Sequence, residues 1–217
     1  MMRATRVDEC CAPVAGACST VTTDGFVSIA YSSEIKEGNE IEIEKANGQL
    51  CITDKACDEI KWVNVTATFC NVDPDLFSLM TGYTTVLDYA GVAVGNRVQK
   101  TVLCDGGFAL EAWSDIPGQA CLVTGGKLYG YFLLPCVVNA VLTGFTLEND
   151  GASFEMTART KLAAGWGVGP YNVDPVDIAN TPGPLQTPIT VEDHLDMHAT
   201  TIAPPAAVCG CTPLVIP

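Results

Sequence analysis

The segment EIEIEKANGQLCIT at 40–53 constrains the fold more than any other stretch of this 217-residue chain. Its alternation is strict. Glu40, Glu42 and Glu44 fall on one face of an extended strand, and Ile41 and Ile43 fall on the other. Asn47-Gly48 is a strong hairpin turn signal, because a two-residue turn needs backbone at positive φ, and QLCIT at 49–53 is the natural return strand.

Similar short runs recur along the chain. FVSIAYS (26–32), KWVNVTATFC (61–70), TTVLDYAGVAV (84–94), RVQKTVL (97–103), FALEAWS (108–114), LYGYFLLPCVV (128–138), GFTLEN (144–149) and SFEMTARTK (153–161) each read as strands separated by turn residues. Such spacing predicts a mainly β fold, a sandwich or barrel made by antiparallel pairing. One helix is expected in NVDPDLFSLMTG (71–82). Asp73 suits the N-cap, Pro74 the first helical position and Gly82 the stop, while Leu76, Phe77, Leu79 and Met80 give it an apolar face.

The ends differ from the middle. Residues 1–25 show no period and read as an extended N-terminal arm, followed by a β-rich core over 26–180. Seven of the 13 prolines lie in 182–217, so 181–217 reads as a Pro-rich extended arm. Within it only ITVEDHLDMHATTI (189–202) suits a strand. Arms of this kind are expected to dock on neighbouring subunits.

A net charge of −14, with only Lys127, Arg159 and Lys161 basic beyond residue 100, argues against holding nucleic acid through its phosphates. The N-terminus lacks the apolar run of a signal peptide, and Tyr129 to Leu142 is too short and too interrupted to span a bilayer. No membrane insertion is expected. The eleven cysteines include no CxxC pair, and most are expected to remain thiols in a reducing cytoplasm. The terminal sets, Cys10, Cys11 and Cys18 with Cys209 and Cys211, are the ones placed to cross-link outside the cell.

Catalytic patterns are scarce. His194, Asp196 and His198 would point the same way on a strand, but a polar strand face gives that spacing without a metal. No metal or cofactor is assigned. Both histidines sit in the Pro-rich tail and no GxSxG elbow occurs, so a hydrolase reading is poor and a non-enzymatic role is expected. GWGVGP at 165–170 reads as a tight turn around a buried Trp166 and not as a phosphate loop.

WVNVTATFCNVDPDLFSLMTG (62–82), GFALEAWSDIPGQAC (107–121), YGYFLLPCV (129–137) and TLENDGASFEMTARTKLAAGWGVGPYNV (146–173), in this order, resemble the major tail proteins, or tail-tube proteins, of long-tailed bacteriophages infecting actinobacteria. The resemblance covers about 40 to 175. It implies a tail-tube-type β-sandwich or barrel core with one short helix. It also implies homohexameric rings stacked into a tube, with hairpins pairing between subunits into a lumen barrel and other tail proteins at the tube ends. Hairpins over 26–53 and 84–103 are the candidates. Glu40, Glu42 and Glu44 would then face the lumen, where carboxylates repel passing DNA without binding it. The implied location is the virion tail, after assembly in the host cytoplasm. Alternative readings are a tail terminator, a head-decoration protein or a virion-surface binding β-module.

Overall fold

The computed structural model describes residues 1–70, 73–100, 102–103, 106–116, 127–149, 151–162 and 165–216. In chain order these form β1 (Met2–Val7), β2 (Gly16–Thr23), β3 (Phe26–Lys36), β4 (Glu40–Glu44), β5 (Leu50–Lys55), β6 (Glu59–Phe69) and α1 (Pro74–Thr81). There follow β7 (Thr84–Leu87), β8 (Ala93–Arg97), β9 (Gly107–Asp115), β10 (Tyr129–Glu148), β11 (Gly151–Thr160), β12 (Asp174–Pro175), β13 (Pro182–Gly183), β14 (Asp196–Thr200) and β15 (Thr212–Leu214). The fold is mainly β with one short helix, as the strand patterns require. None of the described helices is long and apolar enough to cross a membrane.

One nine-stranded antiparallel sheet runs β15-β2-β1-β9-β10-β11-β6-β3. β14 pairs with Tyr129–Leu133 of β10, while β11 takes β10 from Val137 onward. β10 is therefore a single 20-residue strand where the sequence suggested two, and shifts of register at Val138/Val141 and Leu142/Gly144 carry it through the interruption. Both faces of β9 and of the first half of β10 are covered. Phe108, Leu110, Leu134 and Val137 join a core with Met2, Ala4, Val65, Ala67, Phe69 and the apolar side of α1. Ala109, Trp113, Tyr131, Leu133 and Cys136 face a second core closed by Trp166, Val173, Leu185 and Ile189. Two-sided burial explains why YGYFLLPCVV is apolar throughout instead of alternating.

The helix ends where its capping residues dictate. Asp73 Oδ1 accepts from Asp75 N at 2.8 Å, Pro74 opens the first turn, and Gly82 takes φ 73° with its N–H bonded to Ser78 O. The turn around Trp166 also forms: Trp166 is buried, Gly169 has φ 74°, and Gly169 N donates to Trp166 O at 2.9 Å.

Three expectations need correction. Residues 1–25 are not an arm: β1 lies inside the sheet between β2 and β9, with Met2 and Ala4 fully buried. Residues 181–217 are extended but lie on their own chain, burying Leu185, Ile189 and Leu214 and ending as the edge strand on β2. The 84–103 hairpin is shorter than expected. Asp88 Oδ1 accepts from Ala90 N and Val92 N, folding a turn inside the run read as one strand, so β7 and β8 end at Arg97.

Candidate functional site

β3, β4, β5 and β6 form one long hairpin from Phe26 to Phe69. β3 pairs β6 from Phe26↔Phe69 to Lys36↔Glu59, and β4 pairs β5 from Glu40↔Lys55 to Glu44↔Leu50. Between these ladders Ala56 N donates to Asn39 O at 3.0 Å, and Gly38 N donates to the Asp58 carboxylate at 2.9 Å. A side chain at Gly38 would run into the Ala56 carbonyl, so glycine is what lets the two legs pass this closely. At the tip, Gly48 has φ 80° and its N–H bonds to Lys45 O.

The inner half of this hairpin is core, and the outer half is bare. Val63, Val65, Ala67 and Phe69 are buried, whereas every residue of β4 and β5 is exposed. Cross-strand partners share a face, so Ile43 and Ile52 stand side by side with Ile41 on the more apolar face, where Asp54 is the one charged residue, opposite Ile41. They are 49%, 51% and 56% exposed, and among the described elements β4 and β5 pack extensively only on each other. The opposite face presents Glu40, Glu42 and Glu44 against Lys55, Thr53 and the exposed Leu50, three carboxylates to one ammonium. A two-stranded ribbon on its own is marginal in water. This one has an apolar face left open by the described residues. β3 is also a sheet edge, with Val27 and Ile35 exposed.

The β7–β8 hairpin repeats the pattern on a smaller scale. It touches α1 and leaves Leu87, Val92, Val94 and the fully exposed tip residue Tyr89 open.

His194, Asp196 and His198 do not converge. Asp196 and His198 lie on β14, but His194 precedes that strand and turns to Thr160 on β11, with Nδ1 2.7 Å from the hydroxyl. His198 instead sits between two carboxylates: Nδ1 is 2.9 Å from Asp196 Oδ2 and Nε2 is 2.9 Å from Asp174 Oδ1. The hydrogen bond to Asp196 raises the imidazole above its ordinary value against the opposing effect of burial, and the charges of Asp196 and Asp174 add to the rise. With one ring nitrogen against Asp196 and the other against Asp174, His198 turns neither toward His194. No hydroxyl or thiol nucleophile is bonded to it among the described residues, and the group ties β14 to β12.

Two features escaped the sequence. Arg3 and Glu111 form a buried pair on β1 and β9, and Tyr131 Oη donates to Glu111 Oε1 at 2.7 Å. Four cysteines are paired: Cys18 with Cys211, both in the terminal sets placed to cross-link, and Cys11 of those sets with Cys136, which was expected as a thiol. Cys10, Cys51, Cys57, Cys70 and Cys209 are free and exposed, and Cys104 and Cys121 lie outside the described residues. Comparison with protein-family models and with curated proteins returned no match.

Proposed function

We propose that this chain is a structural subunit of a phage tail tube, assembling through its hairpins into stacked rings around a channel for DNA. The observation that carries the reading is the β4–β5 ribbon, amphipathic by strict alternation and uncovered on its apolar side. Packing that face against equivalent ribbons of neighbouring copies removes Ile41, Ile43 and Ile52 from water. It also pairs an otherwise open edge and leaves the glutamate row facing an aqueous lumen. Carboxylates there repel phosphate over a Debye length of about 8–10 Å. The sequence resemblance over 40–175 supplies the identity of the assembly, and the ribbon supplies a physical need for one.

Negative-stain images of the purified protein at rising concentration test this. Tubes or stacked rings are expected. A protein that stays monomeric at the highest soluble concentration, or that stops at a single ring, is not a tube subunit.

A further inference from the structure

The Cys18–Cys211 disulfide closes a clasp at the N-terminal end of α1. Asp73 Oδ2 accepts from Gly210 N at 2.6 Å, and Asp75 Oδ2 accepts from Cys211 N at 3.2 Å. Val208 N donates to Thr22 O at 3.1 Å, and the Thr20 and Thr212 hydroxyls are 2.6 Å apart. Leu214 is buried beyond them. These contacts hold the 208–214 backbone on β2 and α1 independently of the sulfur–sulfur bond.

Reduction would therefore leave two thiols side by side with a carboxylate next to them. The Cys18 and Cys211 sulfurs and a carboxylate oxygen of Asp75 lie within 4.8 Å of one another. Among the described residues no other grouping of three His, Cys, Asp or Glu ligand atoms is this tight. A tetrahedral zinc with Zn–S near 2.3 Å sets its sulfurs about 3.8 Å apart, inside that envelope. The Cys18 and Cys211 Cα atoms are 4.9 Å apart, so both sulfurs can reach one ion.

We propose that reduction converts this disulfide into a zinc site with Cys18, Cys211 and Asp75 as ligands. A dithiol reductant supplies two electrons and two protons, ends as its own disulfide, and leaves a thiol on each cysteine. Zn²⁺ then displaces both thiol protons to solvent and binds two thiolates and the carboxylate. Thiolates select zinc over magnesium or calcium, which prefer all-oxygen shells. Asp75 also lines an open cleft of about 480 Å³ with Asp73 and Cys209, so the site is solvent-accessible from its carboxylate side. The clasp is thus held by a covalent bond under oxidising conditions and by a metal under reducing ones.

The full chain is reduced with excess dithiol, desalted without oxygen, and loaded with Zn²⁺ or Co²⁺. One zinc per chain should survive a second desalting, and Co²⁺ should give a thiolate charge-transfer band. The double variant C18S/C211S should lose both signals, and C51S/C57S should keep both. D75N should keep the thiolate band while binding on the order of tenfold or more weakly. No retained zinc in the reduced wild type, equal zinc in C18S/C211S, or loss of zinc in C51S/C57S each overturns the site. Should C18S/C211S fail to fold by circular dichroism, D75N decides alone, because it keeps both cysteines, and an unchanged affinity rejects the proposal.

Discussion

Arg3 and Glu111 stand directly opposite each other on β1 and β9, joined by two hydrogen bonds of 2.6 Å, with Glu111 wholly out of contact with water. The guanidinium carbon also lies 3.3 Å from the centre of the Tyr171 ring, so the segment following Trp166 covers the pair. An ion pair so enclosed costs desolvation on both partners, and its value appears mainly when one partner is removed. Glu111→Gln should lower unfolding stability by roughly 3–5 kcal/mol, because Arg3 then stays buried without its counter-charge. R3M/E111L should recover most of that loss. Urea denaturation of both variants checks it, and a single-variant loss under about 1 kcal/mol would mean the site admits water.

His198 gives the fold a pH dependence of known sign. Its folded-state value is raised above the ordinary 6.5 by Asp196 and Asp174. The stabilisation is therefore fully present below about pH 6.5 and is lost as pH rises through the folded value. Wild type should exceed His198→Asn by more at pH 6 than at pH 9. An advantage on the order of 1 kcal/mol at the acidic end corresponds to roughly 2–4 °C in Tm for a domain of this size. Equal differences at both ends in thermal melts would show that His198 does not titrate with folding.

Local chemistry was legible in the sequence, and long-range partnership was not. Asp73-Pro74 and Gly82 mark the helix because caps act within one turn. The ribbon at 40–53 shows through alternation and an Asn-Gly turn. β1 was missed because MRATRV carries Arg3 in mid-strand, and only a glutamate 108 residues away makes that position tolerable inside a sheet. The disulfides join cysteines 125 and 193 residues apart, which spacing cannot reveal. His194 looked like a partner of His198 only on the assumption that the strand began before Asp196. The glutamate row was found, but its exposure on a ribbon standing clear of the other described elements emerged only from the fold.

Asp73 serves two backbones at once, capping Asp75 N with one oxygen and holding Gly210 N with the other. Asp73→Ala should cost about 1–2 kcal/mol and open both ends of the contact. Asp73→Asn keeps an acceptor for the cap but turns an amide N–H₂ toward Gly210. Hydrogen exchange should then show α1 amides protected in D73N and unprotected in D73A, with Gly210 and Cys211 exchanging faster in both. Protection of Gly210 in D73A would mean that the clasp does not depend on this carboxylate.

The two faces of the β4–β5 ribbon should fail separately. Ile41, Ile43 and Ile52 are each about half exposed, so covering them in an assembly contributes about 1 kcal/mol apiece per subunit. I41S/I43S/I52S should leave the monomer's Tm nearly unchanged, because those side chains touch no core, while tubes disappear from electron micrographs. E40K/E42K/E44K should do the reverse. Tubes should still form, since the carboxylates take no part in the apolar contact, but particles carrying them should eject DNA poorly. In the proposed tube, lysines lining the lumen would hold phosphate where glutamates would repel it. Tubes lost in the lysine variant would place the glutamates at a subunit contact, and normal infectivity would place them on the outer surface.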